Sequence, residues 1–245
     1  MTTSHRVPIE DIRFVLHRVL GIEQLGVSQR FAGFDRETAD QVLEAGARFA
    51  AEVVAPLNAT ADREGARLEN GRVRTPAGFK EAYARYVAAG WPRLSFPAEY
   101  GGQGLPLTLQ TAFGEMLIGA CHAFTMAPCP ARAGALALIA AGAPWMRETV
   151  VPKLVAGEWA GTICMTEPGA GSDVGAAAVK AVPKGGGRYA LSGTKIFISF
   201  ADHDLTEQII HLTIARIAGA PPGTKGLSLF IVPSRRIEQK RMMKS

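Results

Sequence analysis

The run Met165-Thr166-Glu167-Pro168-Gly169-Ala170-Gly171-Ser172-Asp173 holds the densest set of groups able to do chemistry. It reads as a strand leaving a sheet into a glycine-rich turn. Gly169 and Gly171 permit close backbone approach and positive φ. Successive N–H groups in such a turn can form an anion nest, to which the Thr166 and Ser172 hydroxyls add donors. Any three-residue fragment of the run would be an ordinary β-turn; the full nine residues are far more specific.

Other candidates read more plainly. Asp202-His203-Asp204, with His211 downstream, invites a metal, but such unselective spacing is more often a solvated turn, and no metal is expected. Cys121, Cys129 and Cys164 form no C-x-x-C pair and suit a reducing compartment. Cys164 reads as a packed strand residue. Trp91, Trp145 and Trp159 read as packing anchors.

The elements that must position the turn follow from periodicity. Val42, Leu43, Gly46, Phe49, Ala50 and Val53 form one helical stripe, which Pro56 should end. An earlier stripe, Ile12 to Leu20, should stop at Gly21. Thr75-Pro76 should open a helix with Phe79, Tyr83, Tyr86 and Val87 on one face. Residues 91–106 form a loop or crossing segment, and helical patterns resume at 109–119, 131–141 and 144–155, with Gly157 as a C-cap. Past Trp159 the pattern turns to strands: Thr162 to Thr166, Ala178 to Pro183, Tyr189 to Ser199, Ile209 to Ile217 and Leu227 to Val232. The expected fold class is therefore α+β in two domains: an all-α domain over 1–158 and a β-domain over 159–233. A basic, disordered tail is expected over 234–245.

Composition narrows the function classes. The 245 residues are 47% hydrophobic and 20% charged, which excludes a disordered or fibrous chain. The net charge is +5, but the tail from Arg235 carries five cations and one anion, so the body is near neutral. It lacks the basic face that nucleic acid requires. No apolar run approaches the roughly 18 residues of a membrane helix. His5, Arg6, Glu10, Asp11 and Arg13 interrupt any secretory signal, so a cytoplasmic setting is expected.

The nine-residue turn resembles the T-E-P-x-A-G-S-D signature of the acyl-CoA dehydrogenase family. Three further segments support the resemblance, in order along the chain. Pro97-Ala-Glu99-Tyr100-Gly101-Gly102-Gln-Gly104-Leu105 is similar to the family's P-E-x-x-G-G-x-G-L crossing. Gly193-Thr-Lys195-Ile-Phe197-Ile198-Ser199 is similar to its G-x-K-x-W-I-T strand, and Lys225 to Pro233 to its G-x-S-x-F-I-V edge. Ile12 to His17 and Ser199 to Leu205 are similar to the branch that includes the methylthiopropionyl-CoA dehydrogenases.

The resemblance implies an N-terminal all-α domain, an antiparallel, barrel-like β middle domain and FAD as cofactor. It places the backbone of Ile163, Cys164 and Met165, together with Thr166, against the polar edge of the flavin. Gly171 and Ser172 would meet the pyrophosphate side, Ser172 also lying near the thioester's pantetheine arm. Phe197, Ile198 and Ser199 would flank the ring; Phe197 keeps a flat surface where the family often has Trp, and Phe200 is bulkier than usual. Implied partners are an acyl-CoA substrate, an electron-transfer flavoprotein as acceptor and further copies in a homo-oligomer. The family's C-terminal four-helix domain, which carries the carboxylate base, is expected to be absent after Pro233, so no catalytic residue is assigned. Glu167 sits inside the turn and is not promoted to that role. The expectation is a truncated FAD-dependent acyl-CoA dehydrogenase, inactive alone. The alternative is a non-catalytic flavin- or acyl-CoA-binding module, or a subunit completed by a second chain.

Overall fold

The computed structural model describes residues 5–237. Helix α1 (Ile9–Arg13) continues through a wide π-type stretch to Val19, and the chain turns left-handed at Gly21. Helix α2 (Arg36–Phe49) starts at Asp35, whose carboxylate accepts the Thr38 N–H at 2.8 Å as an N-cap. Its buried residues, Ala39, Leu43, Gly46 and Phe49, fall at helical spacing. Pro56 does not end this helix. The chain passes through a π-type stretch, Ala50–Val54, into α3 (Ala55–Glu64), with Pro56 in the first turn, where a missing N–H is harmless.

The first domain is not purely helical. A short antiparallel hairpin, β1 (Arg67–Glu69) and β2 (Arg72–Arg74), turns at Asn70-Gly71, both with positive φ. Its strands are three residues long and almost wholly exposed, so hydrophobic periodicity carries no trace of them. Helix α4 (Phe79–Ala88) follows, with Thr75-Pro76 in the turn before it rather than in its first turn. Then come α5 (Leu107–Thr125), α6 (Pro128–Ala141), α7 (Pro144–Thr149) and α8 (Val151–Val155). Trp91 anchors this core, stacking on Phe113 with ring centroids 4.0 Å apart while Phe49 closes from the side. Among the described residues no single helix is long and apolar enough to cross a membrane.

The sheet has five strands: β3 (Ala160–Cys164), β4 (Lys180–Gly185), β5 (Arg188–Ser192), β6 (Ile209–Ile217) and β7 (Leu227–Pro233). Strand β6 is its axis. It pairs antiparallel with β7 over its whole length, and parallel with β3 and with the start of β4. The sheet is thus mixed, where an antiparallel barrel was expected. Parallel pairing needs a long crossover, and the chain between Cys164 and Ile209 supplies one, with the β4–β5 hairpin inside it. Strand β5 ends at Ser192 instead of Ser199. Gly193 takes φ +140°, and a Cβ there would meet the Val179 side chain at 2.7 Å, so the chain leaves the ladder. Ser234 and Arg235, read from sequence as part of a disordered tail, are held by Gln208, and the Ser234 hydroxyl also accepts the Ile209 N–H. The rest of that tail, from 238, lies outside the described residues.

The two halves meet where α6 lies on β3 and β6. Ala131, Ala135 and Leu138 share a core with Val150, Leu154, Ile210 and Leu212. The contact is backbone-close: a Cβ on Gly161 would sit 2.8 Å from the Cα of Ala131. Replacing Gly161 by Ala should therefore push α6 off β3 and destabilise the protein by about 2 kcal/mol. Scanning calorimetry should show a Tm lower by about 4–8 °C. An unchanged Tm would mean that α6 slides freely over the strand.

Candidate functional site

Strand β3 delivers the chain from the interior to the surface. Ile163 is half-buried and Cys164 buried, with its Sγ 3.4 Å from the Thr162 hydroxyl; Met165 is exposed and Thr166 half-buried. Glu167 and Ala170 then exchange both backbone hydrogen bonds at 3.0 Å, closing a tight turn with Pro168 and Gly169 at its tip. Neither Gly169 nor Gly171 takes a positive φ, and a Cβ on either would meet open space. Their contribution is an uncovered backbone, not a special conformation.

The Glu167 side chain folds inward, and its acceptors are fully used. Its carboxylate accepts the N–H of Ala178 at 2.6 Å and that of Val179 at 3.1 and 3.2 Å. Lys195 Nζ donates to Oε1 at 2.7 Å and to the Met165 carbonyl at 2.7 Å. Both side chains are shielded, Lys195 at 10% and Glu167 at 6% exposure. Burial alone would raise the Glu167 pKa, but the ammonium and the two N–H groups outweigh it and hold it below its ordinary 4.5. Glu167 is an ionised brace with both oxygens engaged inside the turn.

The brace brings a second segment alongside. The Ile196 N–H donates to the Thr166 carbonyl at 3.0 Å. Phe197 follows at φ +57° with its ring 89% exposed, and Phe200 sits at φ +53°. Holding a bulky residue in that region costs about 1–3 kcal/mol. Phe197 recovers none of it by burial, so its ring is offered as a flat surface. The structure therefore places Met165 and Thr166 beside the 195–197 strip, with Ile198 half-buried and Ser199 exposed just beyond. Gly171 and Ser172 lie exposed on the outgoing limb of the turn. A planar group with a polar edge suits this surface.

The Asp202-His203-Asp204 loop is not a solvated turn. Asp202 takes Arg72 at 2.8 Å and the Val73 N–H at 2.8 Å, while Asp204 accepts the Thr75 hydroxyl at 2.7 Å. The carboxylates clasp the hairpin of the first domain. His203 is buried between them at 2% exposure; its Nδ1 accepts the Leu205 N–H at 3.1 Å, and Nε2 has no partner among the described residues. Sequence reading also missed a cavity of about 290 Å³ between α4, α5 and the start of α6. Arg132, a lone cation in the apolar α6 sequence, was the available signal.

Two outcomes follow. Lys195→Met removes one member of a buried pair and should destabilise by about 3–5 kcal/mol, read from urea midpoints at pH 7. Because Glu167 is held below 4.5, its stabilisation is complete above that pH and drains away as pH falls through the lower folded value. The Lys195→Met variant should lose that acid limb; a midpoint within 1 kcal/mol of the parent's would refute the brace. His203 behaves differently: burial pushes it down to about 4 from 6.5, against the pull of Asp202 and Asp204. The unfolded chain takes the proton first, so stability is complete above pH 6.5 and falls by about 3 kcal/mol toward pH 4. His203→Asn should flatten the slope between those values, and an identical slope would exclude His203 as its source.

Known proteins resemble this chain in sequence and in fold. The acyl-CoA dehydrogenase N-terminal domain model matches residues 36–158, and the middle domain model matches 162–242. The 3-methylmercaptopropionyl-CoA dehydrogenase of Ruegeria pomeroyi is 43% identical over 230 residues, 94% of this chain and 39% of its own length. A butyryl-CoA dehydrogenase of Syntrophomonas wolfei is 36% identical over 92% of this chain and 38% of its own. The chain thus spans about two-fifths of the length of these curated relatives. The solved butyryl-CoA dehydrogenase of Megasphaera elsdenii shares the fold with a TM-score of 0.65 at 21% identity, covering 80% of this chain and 48% of its own. A structure of PigA with FAD and proline does so with a TM-score of 0.65 at 22% identity, over 83% and 49%. One family model accounts for half of the sequence and a second for most of the remainder, and on that ground the chain belongs to the acyl-CoA dehydrogenase family.

Proposed function

We propose that this chain forms the flavin-ring and thioester side of an FAD-dependent acyl-CoA dehydrogenase, acting on the Cα–Cβ bond of an acyl-CoA. The observation that carries this reading is the exposed Phe197 ring on a strained backbone, fixed beside the Met165–Thr166 edge by the Glu167–Lys195 brace. The residues fit FAD on their own chemistry. Phe197 and Ile198 offer an aromatic and apolar wall, Ser199 and the Thr166 group a polar edge, and Gly171 and Ser172 an open donor-bearing limb. The backbone of Ile163, Cys164 and Met165 would line the same edge. Bound FAD supplies a hydride acceptor. The chain's residues would orient the ring, exclude water from one face and, through Ser172, hold the pantetheine arm.

The cavity beside α6 would take the acyl chain. Ala131 of α6 packs on Gly161, and β3 runs from there to Met165, about 13 Å along the strand. By family resemblance, electrons would pass on to an electron-transfer flavoprotein and the protein would form homo-oligomers. Three unpaired cysteines suit a reducing, cytoplasmic setting.

A second reading is a binding module without turnover of its own. Glu167, the carboxylate inside the turn, has both oxygens occupied and cannot take an α-proton. The 245-residue chain should bind FAD, with Phe197→Ala weakening it about tenfold through lost stacking. It should not bleach the flavin when butyryl- or hexanoyl-CoA is added. Absence of FAD binding would sink both readings; bleaching would select the enzyme over the module.

A further inference from the structure

We propose that Arg132 makes the cavity beside α6 selective for acyl groups that end in a carboxylate, an inference that rests on reading this cavity as the acyl pocket. The walls are largely apolar, built from residues such as Tyr83, Phe96, Leu117 and Leu154. Among the described residues, Arg132 is the one Lys or Arg that lines the cavity, and no Asp or Glu does. Its guanidinium lies over the Phe96 ring, Cζ 4.8 Å from the centroid. Its Nη1 is shielded from water and has no acceptor among the described residues. Gln110, in the same wall, has a buried Oε1 equally without a partner. Burial works against the Arg132 charge.

That arrangement suits a hydrocarbon chain poorly. A plain acyl chain would dehydrate the guanidinium further and give it no acceptor, which is the costly outcome for a buried donor. A Leu or Met at 132 would serve such a chain better. A carboxylate at the far end of the acyl group meets the planar fork edge-on with two charge-assisted bonds. The contact with Phe96 restrains the guanidinium before a ligand arrives, which limits the rotamer freedom lost on binding. A site built around a polar partner rejects the analogue lacking it more strongly than an apolar pocket rejects an extra group.

The test is calorimetric titration of the FAD-loaded 245-residue chain with matched thioesters: succinyl- against butyryl-, adipoyl- against hexanoyl-, and suberoyl- against octanoyl-CoA. At least one dicarboxylic thioester should bind tenfold or more tightly than its neutral partner. Arg132→Met should abolish that preference, and Arg132→Lys, which keeps the charge but not the fork, should retain part of it. Neutral thioesters binding as tightly in the parent would overturn the inference while leaving the acyl-CoA reading intact. So would an Arg132→Met variant that weakens all six thioesters equally, since Arg132 would then hold the CoA portion. If no thioester binds, both readings fall. The comparison within the parent protein decides the matter even if a variant does not fold.

Discussion

The buried pair of Glu167 and Lys195 is the constraint on which the candidate site depends. Three chain segments converge on it: the turn after β3, which includes the Met165 carbonyl, the entrance to β4 at Ala178 and Val179, and the strip after β5. The strip is not held there by the ladder, because β5 has already ended at Ser192. A buried ion pair is weak evidence for stability, since desolvation offsets much of the attraction. Its effect here is registration. One carboxylate that must satisfy three donors leaves a single arrangement of turn and strip. Phe197 inherits its position from that arrangement, not from packing of its own ring.

Docking of the sheet on the helices follows a different physical rule. Along α6 and β3 the contact depends on missing side chains, with Gly161 against Ala131 and Gly134 beneath Leu212. At the 202–204 loop it depends on carboxylates that accept backbone N–H groups of the hairpin strand β2 and the residues just after it. Dispersion over closely approaching backbones is insensitive to pH. The loop contact is not, because it encloses His203 in its neutral form. Acid should loosen the second contact before the first.

How much of this was legible in the sequence varied with the kind of signal. Strand β6 was read as Ile209 to Ile217 because a β-branched run buried on most of its length announces itself. The stripe of α2 was equally plain, whereas Pro56 was misread because a proline that stops one helix and a proline that starts the next look alike. The β1–β2 hairpin is exposed on both faces and left only Asn70-Gly71 as a clue. At the site, the nine-residue string identified the turn, but the partners of Glu167 lie 11, 12 and 28 residues away, and sequence spacing cannot pair them. His203 was taken for a solvent residue because its neighbours are acids. Those acids face the hairpin, and the ring between them is covered.

Helix α6 shows how packing and recognition share one element. Residues Ala131, Gly134, Ala135 and Leu138 recur at helical spacing and lie against the sheet. Cys129 and Arg132 stand on a neighbouring stripe and line the cavity. One residue step turns the side chain by about 100°, so Arg132 is aimed by the seating of Ala131 on Gly161. The small side chains that let helix and strand approach also fix how far the guanidinium lies from β3, and hence from the Met165 edge at the strand's end. Geometry at the cavity and geometry at the turn are two ends of a single rigid strand–helix contact.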